Sequence, residues 1–174
     1  VKVWSSPDVT ATAPDGEKIQ LPSPKDHAPE LERLKKIVAK KKKSSPKTEI
    51  VVVMGLGFVG AAMAAVVADF DPKRSRPRYV IGMQRPSTRS FWKIPLIGRG
   101  VAPMKSEDPE VPAIIHRCVV EKQTLTASFT YESLKLADVV VVDVQCDYVK
   151  ESLADVGRGY VQMEDLERAL EIIG

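Results

Sequence analysis

Three glycines hold the clearest chemical capacity in this sequence. They stand in Gly55-Leu56-Gly57-Phe58-Val59-Gly60, directly after the apolar run Ile50-Val51-Val52-Val53-Met54 and ahead of Ala61-Ala62-Met63-Ala64-Ala65. A β-branched run bounded by glycine reads as a buried parallel strand. The alanines read as a helix that can pack closely on a sheet. In that setting the spacing suits a diphosphate. Gly55 permits the tight turn out of the strand, Gly57 lets the backbone approach the phosphates, and Gly60 lets the helix lie against the strand. Amide hydrogens at the helix start, aided by the helix dipole, would hold the negative charge. The other use of such a series is a strand-to-helix turn without ligand. The strand before it and the helix after it favour the dinucleotide reading.

A dinucleotide on that turn needs contacts from neighbouring strand ends. Tyr79-Val80-Ile81-Gly82-Met83 reads as the second strand and closes on Gln84-Arg85, where an acid ordinarily holds the adenosine ribose. Gln84 can bond a ribose hydroxyl through its amide, without charge. Arg85 can pair with a 2′-phosphate, which sets NADP beside NAD as the cofactor; otherwise it is a solvated strand-end arginine. Asp69 and Asp71 precede this strand and are poor substitutes for the acid. Val139 to Val144 reads as a fourth strand. Val144-Gln145-Cys146 at its end is expected to line the nicotinamide side of the crevice. Cys146 has no nearby His or Lys to activate it, so it reads as a crevice residue and not a nucleophile. Cys118 is spaced helically with Ile114 and Ile115 and reads as core. His27 and His116 lie far apart and no CxxC occurs, so no metal site is expected. No catalytic residue is assigned within this chain.

The elements that position these residues follow from patterning. The 174 residues suffice for one domain with a sizeable core. A net charge of +3 is too small to argue for nucleic acid or membrane, and no apolar run reaches the length of a membrane span. Free thiols suit a reducing compartment, hence a cytoplasmic location. No secretory signal is visible, and the start at Val1 reads as a trimmed or partial product. Residues 1–48 read as an N-terminal arm and helix. Pro7, Pro14, Pro22 and Pro24 break long helices, and Asp15-Gly16 suggests a hairpin turn between Val9–Ala13 and Glu17–Leu21. Residues 28–43 have Leu31, Leu34, Ile37 and Val38 on one helical face. Lys40 to Lys43 then read as a solvated helix end, because no aromatic residue interleaves them.

Residues 49–174 read as the dinucleotide-binding domain. After the second strand come a short helix or packed loop (Ser90 to Ile97), a helix (Asp108 to Lys122), a third strand (Thr124 to Ser128) and a short helix (Glu132 to Leu136). Beyond the fourth strand, Gly157 and Gly159 mark a loop, and Met163, Leu166, Leu170 and Ile173 define a final amphipathic helix. This alternation predicts an α/β fold: a doubly wound parallel sheet with helices on both faces.

Several stretches resemble the UDP-glucose/GDP-mannose dehydrogenase family. Val51 to Gly60 is similar to its opening strand, glycine turn and helix. Ile97-Gly98-Arg99-Gly100-Val101-Ala102-Pro103, Glu107-Asp108-Pro109-Glu110-Val111, Thr124-Leu125-Thr126-Ala127 with Tyr131-Glu132-Ser133-Leu134, and Ala137-Asp138-Val139-Val140-Val141-Val142 resemble later segments in the family's order. The matches span residues 49–148. The resemblance implies a Rossmann-like sheet, incomplete on the C-terminal side and carrying an N-terminal extension. It implies an NAD-dependent, four-electron oxidation of the sugar C6 alcohol of a UDP- or GDP-sugar to a carboxylate, as in polysaccharide biosynthesis. It further implies a homodimer at full length, with the catalytic cysteine region outside this chain. Two departures stand out: Gln84 replaces the family acid, and Val144-Gln145-Cys146-Asp147 replaces the usual proline-containing loop. Two other readings stay open. One is a non-catalytic nucleotide-binding module on the same fold. The other is an oxidoreductase of the 6-phosphogluconate or hydroxyacid dehydrogenase type, which residues 97–136 fit poorly.

Overall fold

The computed structural model describes residues 9–71, 73, 75–150 and 159–174. Its centre is a parallel sheet of four strands: β3 (Glu49–Met54), β4 (Arg78–Met83), β5 (Leu125–Ser128) and β6 (Val139–Val142), in spatial order β5-β4-β3-β6. Before it lies a hairpin of β1 (Thr10–Thr12) and β2 (Lys18–Gln20), and after it a second hairpin of β7 (Tyr148–Val149) and β8 (Tyr160–Val161). Strand order reverses after β5: the chain crosses back over β4 and β3 to place β6 on the far side of β3. The C-terminal ends of β3 and β6 therefore part their outgoing loops at a switch point, where open α/β sheets bind ligands.

β3 and β4 alternate their side chains between two cores, as the period of two requires. Val51, Val53 and Val80 face one layer, shared with Ala61, Ala64, Ala65 and Ala68 of α2 (Phe58–Ala68) and with Ile97, Ile115 and Cys118. Ile97 belongs to α3 (Lys93–Gly98), and Ile115 to α4 (Glu110–His116). Ile50, Val52, Met54, Tyr79, Ile81 and Met83 face the opposite layer. That layer is covered by Leu34 and Val38 of α1 (His27–Ser44) and Ala169 of α5 (Glu164–Ile173). The N-terminal helix thus seals one face of the sheet.

Other details refine the sequence expectations. The hairpin turn at Asp15-Gly16 forms, with Gly16 at φ +91. The hairpin buries Ala11 and Ala13, and Glu17 pairs with Arg99 at 2.7 Å, so it is tied to the loop after α3. The lysine-rich end of α1 is partly engaged: Lys42 reaches Asp138 at 3.2 Å and Lys41 lies over the Tyr79 ring. The helix expected over 108–122 is split into α4 and a π turn, Arg117–Glu121, in which the Lys122 amide donates to the Arg117 carbonyl. Here Arg117 and Lys122 both grip the Asp69 carboxylate at the end of α2, at 2.6 and 2.7 Å. Gly157 lies outside the described residues. No helix among the described residues is long and apolar enough to cross a membrane.

Two outcomes follow. Leu34 is fully buried, so Leu34→Ala should lower the unfolding free energy by about 2–5 kcal/mol. A urea midpoint unchanged within error would show that α1 contributes little. The Arg117 guanidinium, with Lys122, lowers the Asp69 pKa from 3.8 to about 2. A depressed folded-state pKa stabilises above the unfolded value and is lost as pH falls through the folded one. Thermal melts should therefore show an acid-labile increment between those two pH values that Asp69→Asn lacks.

Candidate functional site

The site is built on the exit of β3. Gly55 has φ +103, a conformation L side chains rarely adopt, and its amide donates to the Met83 carbonyl at 2.8 Å. A Cβ there would lie 1.9 Å from the Asp143 carbonyl oxygen, so the chain leaving β6 passes directly against this glycine. Gly57 caps α2 in an extended conformation. Gly60, one turn into the helix, has room for no Cβ: one would meet the Gly55 carbonyl oxygen at 2.1 Å. Leu56 turns inward, fully buried against Gly82 of β4. Phe58 and Val59 point outward and are 63% and 56% exposed.

The helix start is electrostatically open. The first amides of an α-helix lack intrahelical acceptors, and no side chain caps α2. A Cβ on Gly57 would come no closer than 3.6 Å to any neighbour, an ordinary contact. Space over the Gly57 backbone is therefore not demanded by the fold, which is what a cradle for an approaching ligand requires.

The structure gives Gln84 a task beyond the expected one. Its Oε1 accepts the Leu56 amide at 2.9 Å and its Nε2 donates to Ser90 Oγ at 3.2 Å. Gln84 thus ties the strand end to the glycine turn and uses one loop amide internally, leaving one Nε2 hydrogen for any outside acceptor. Arg85 is exposed beside it. Across the crevice, Val144 packs into the core layer under α1. Gln145 is exposed and donates to Asp147 Oδ1 at 2.8 Å. Cys146 is half-buried, its thiol 3.9 Å from the Val144 carbonyl. Cys118 is buried, which pushes its thiol pKa up. No group of three or more metal-ligating side chains occurs among the described residues.

Two polar residues reach the turn that motif reading does not single out. Lys93, at the start of α3, is half-buried and donates from Nζ to the Leu56 carbonyl at 3.0 Å. Desolvation lowers its pKa, with the Asp143 charge acting the other way. Asp143 follows β6, and its Oδ2 lies 2.5 Å from where a Gly60 Cβ would be. The available signal for Asp143 was an acid interrupting a valine run, since a carboxylate in an apolar strand needs a reason. Lys93 carries no such signal, because its segment has no clear periodicity.

The geometry separates the glycines by experiment. Gly60→Ala forces a Cβ onto a backbone oxygen and should abolish cooperative melting. Gly57→Ala should melt within about 1 kcal/mol of the parent, because its φ of −70 suits any residue and its Cβ would meet only an ordinary contact. Equal damage from both would contradict the open cradle.

No family model matches the sequence, and no curated protein matches it. Solved structures do share its fold. They include the NDP-N-acetyl-D-galactosaminuronic acid dehydrogenase of Methanosarcina mazei Go1 (TM-score 0.61, 22% identity, covering 83% of this chain and 27% of that one). The GDP-mannose dehydrogenase of Pseudomonas aeruginosa, solved as a ternary complex, is similar at TM-score 0.55 and 22% identity, over 71% of this chain and 24% of that one. The UDP-D-ManNAc dehydrogenase of Pyrococcus horikoshii follows at 0.51 and 22%, over 71% and 25%. This chain spans about a quarter of the length of these structures. It has the Rossmann-like α/β fold of a quarter-length portion of nucleotide-sugar dehydrogenases.

Proposed function

We propose that this chain is the NAD-binding portion of a nucleotide-sugar dehydrogenase. The observation that carries the reading is the uncapped start of α2 behind a glycine turn at the sheet's switch point, where a Cβ on Gly57 would make only an ordinary contact, with Asp143 Oδ2 at 3.6 Å. The amides of Gly57 to Gly60 would hold the diphosphate. Arg85, and the remaining amide hydrogen of Gln84, stand where an adenosine ribose or its 2′-phosphate would lie, so both NAD and NADP fit this end. Val144, Gln145 and Cys146 would border the nicotinamide. Bound there, the cofactor supplies a hydride acceptor. What this chain's residues contribute is grip and orientation.

In the larger enzyme the oxidation converts the C6 alcohol of a UDP- or GDP-sugar to a carboxylate, with the catalytic cysteine supplied from outside this chain. Neither thiol here suits that role: Cys118 is buried in the core, and Cys146 has no basic partner among its hydrogen bonds. The reading includes a cytoplasmic homodimer serving polysaccharide biosynthesis. A non-catalytic nucleotide-binding module is the second reading, favoured by one observation: Gln84 is engaged within the protein in place of a ribose-binding acid.

Calorimetric titration should show saturable NAD binding, and Gly57→Val, checked for cooperative melting, should abolish it. NADP competing more strongly than NAD would assign Arg85 to the 2′-phosphate. Undiminished binding by Gly57→Val would remove the diphosphate from the turn.

A further inference from the structure

The same helix start that would hold a diphosphate already faces a carboxylate of the protein. Asp143 is fixed by its own backbone: its amide donates to the Met54 carbonyl at 2.8 Å, and its carbonyl oxygen packs against Gly55. This places Oδ2 3.6 Å from the Cβ position of Gly57 and 2.5 Å from that of Gly60. The side chain is thus held at the base of the glycine turn. Among the described residues no hydrogen bond reaches its carboxylate. The cation that senses its charge is Lys93, whose ammonium is bonded to the Leu56 carbonyl instead. The carboxylate therefore rests on the positive end of α2, in the field that favours any anion there.

We propose that Asp143 sets the affinity of this site for phosphate-bearing ligands by charge, opposing a diphosphate that must share the start of α2 with it. The proposal rests on the nucleotide reading above and adds its electrostatic control. Two anions within a few ångströms repel by an amount that depends steeply on the local dielectric. At a partly screened site this corresponds to a roughly ten- to hundredfold loss of affinity. Lys93 offsets part of it. Its ammonium is held to the turn by the Leu56 carbonyl and is the cation that senses the Asp143 charge.

The test compares the parent chain, Asp143→Asn and Asp143→Ala by calorimetry with NAD, and by ligand-observed NMR with adenosine, which lacks phosphate. Thermal melts confirm that each variant is folded. Both variants should bind NAD roughly ten- to hundredfold more tightly, with adenosine binding unchanged. Equal NAD affinity in parent and variants overturns the role of Asp143 while leaving the nucleotide reading intact. Equal tightening of adenosine overturns it too, since relief would then be steric. Tightening of the parent alone by magnesium ion would show the carboxylate recruiting a cation, which also overturns it. Absence of NAD binding in parent and variants alike removes both this proposal and the reading beneath it.

Discussion

Everything at the candidate site depends on one close approach of backbone to backbone. The chain leaving β3 and the chain leaving β6 pass so near that a single methyl group on Gly55 would overlap the Asp143 carbonyl. Parallel pairing brings this about, because β3 and β6 are in register from Val51 with Val139 to Met54 with Val142. Their loops leave the sheet together and can diverge only if one bends immediately. Gly55, at positive φ, makes the bend. Gly60 then lets α2 settle onto the turn it started from, and Leu56 fills the space over Gly82. The glycine pattern is first a solution to packing. At Gly57 alone the requirement is relaxed, and there the pattern has to be explained by something other than the fold.

The second constraint is the exposed underside of the sheet. A parallel sheet needs both faces covered. The crossovers from β3 to β4 and from β4 to β5 cover one face with α2, α3 and α4. The crossover from β5 to β6 supplies only a short 3-10 segment, Tyr131–Leu136, capped by Thr130. The large apolar residues Ile50, Ile81 and Met83 would be left partly bare without α1, which lays Leu34 and Val38 on them. Its placement is secured at both ends by polar contacts: Glu30 accepts from Ser128 Oγ at 2.7 Å, and Lys42 reaches Asp138. A helix before the first strand of the sheet thus serves as a structural layer.

Much of this was legible in the residues. The first and last strands of the sheet announce themselves as β-branched runs, and the glycine series between the first of them and an alanine-rich helix marks the turn. What patterning does not convey is which polar side chains fold back onto that turn. Gln84 stands where a ribose ligand is expected, yet its carbonyl oxygen is drawn to the Leu56 amide, which the bend leaves without a strand partner. Lys93 reaches the same residue from a segment of no clear periodicity. Nor does spacing foretell the π turn that follows α4, where Asp69 holds Arg117 and Lys122 together. These are contacts of polar and charged groups distant in sequence, and no local pattern encodes them.

Three acids at element ends differ in what satisfies them. Asp138, just before β6, accepts the Ile50 amide at 2.8 Å and is approached by Lys42, and that backbone hydrogen bond lowers its pKa. Asp69, after α2, is gripped by two cations. Both carboxylates are satisfied within the fold and hold elements together. Asp143 lies at the opposite end of β6 from Asp138, on the C-terminal edge of the sheet, and joins no salt bridge among the described residues. A half-buried carboxylate without a direct partner keeps its field for whatever enters the space beside it. Two acids thus serve cohesion near the N-terminal edge of the sheet, while the third lies beside the glycine turn at the opposite edge.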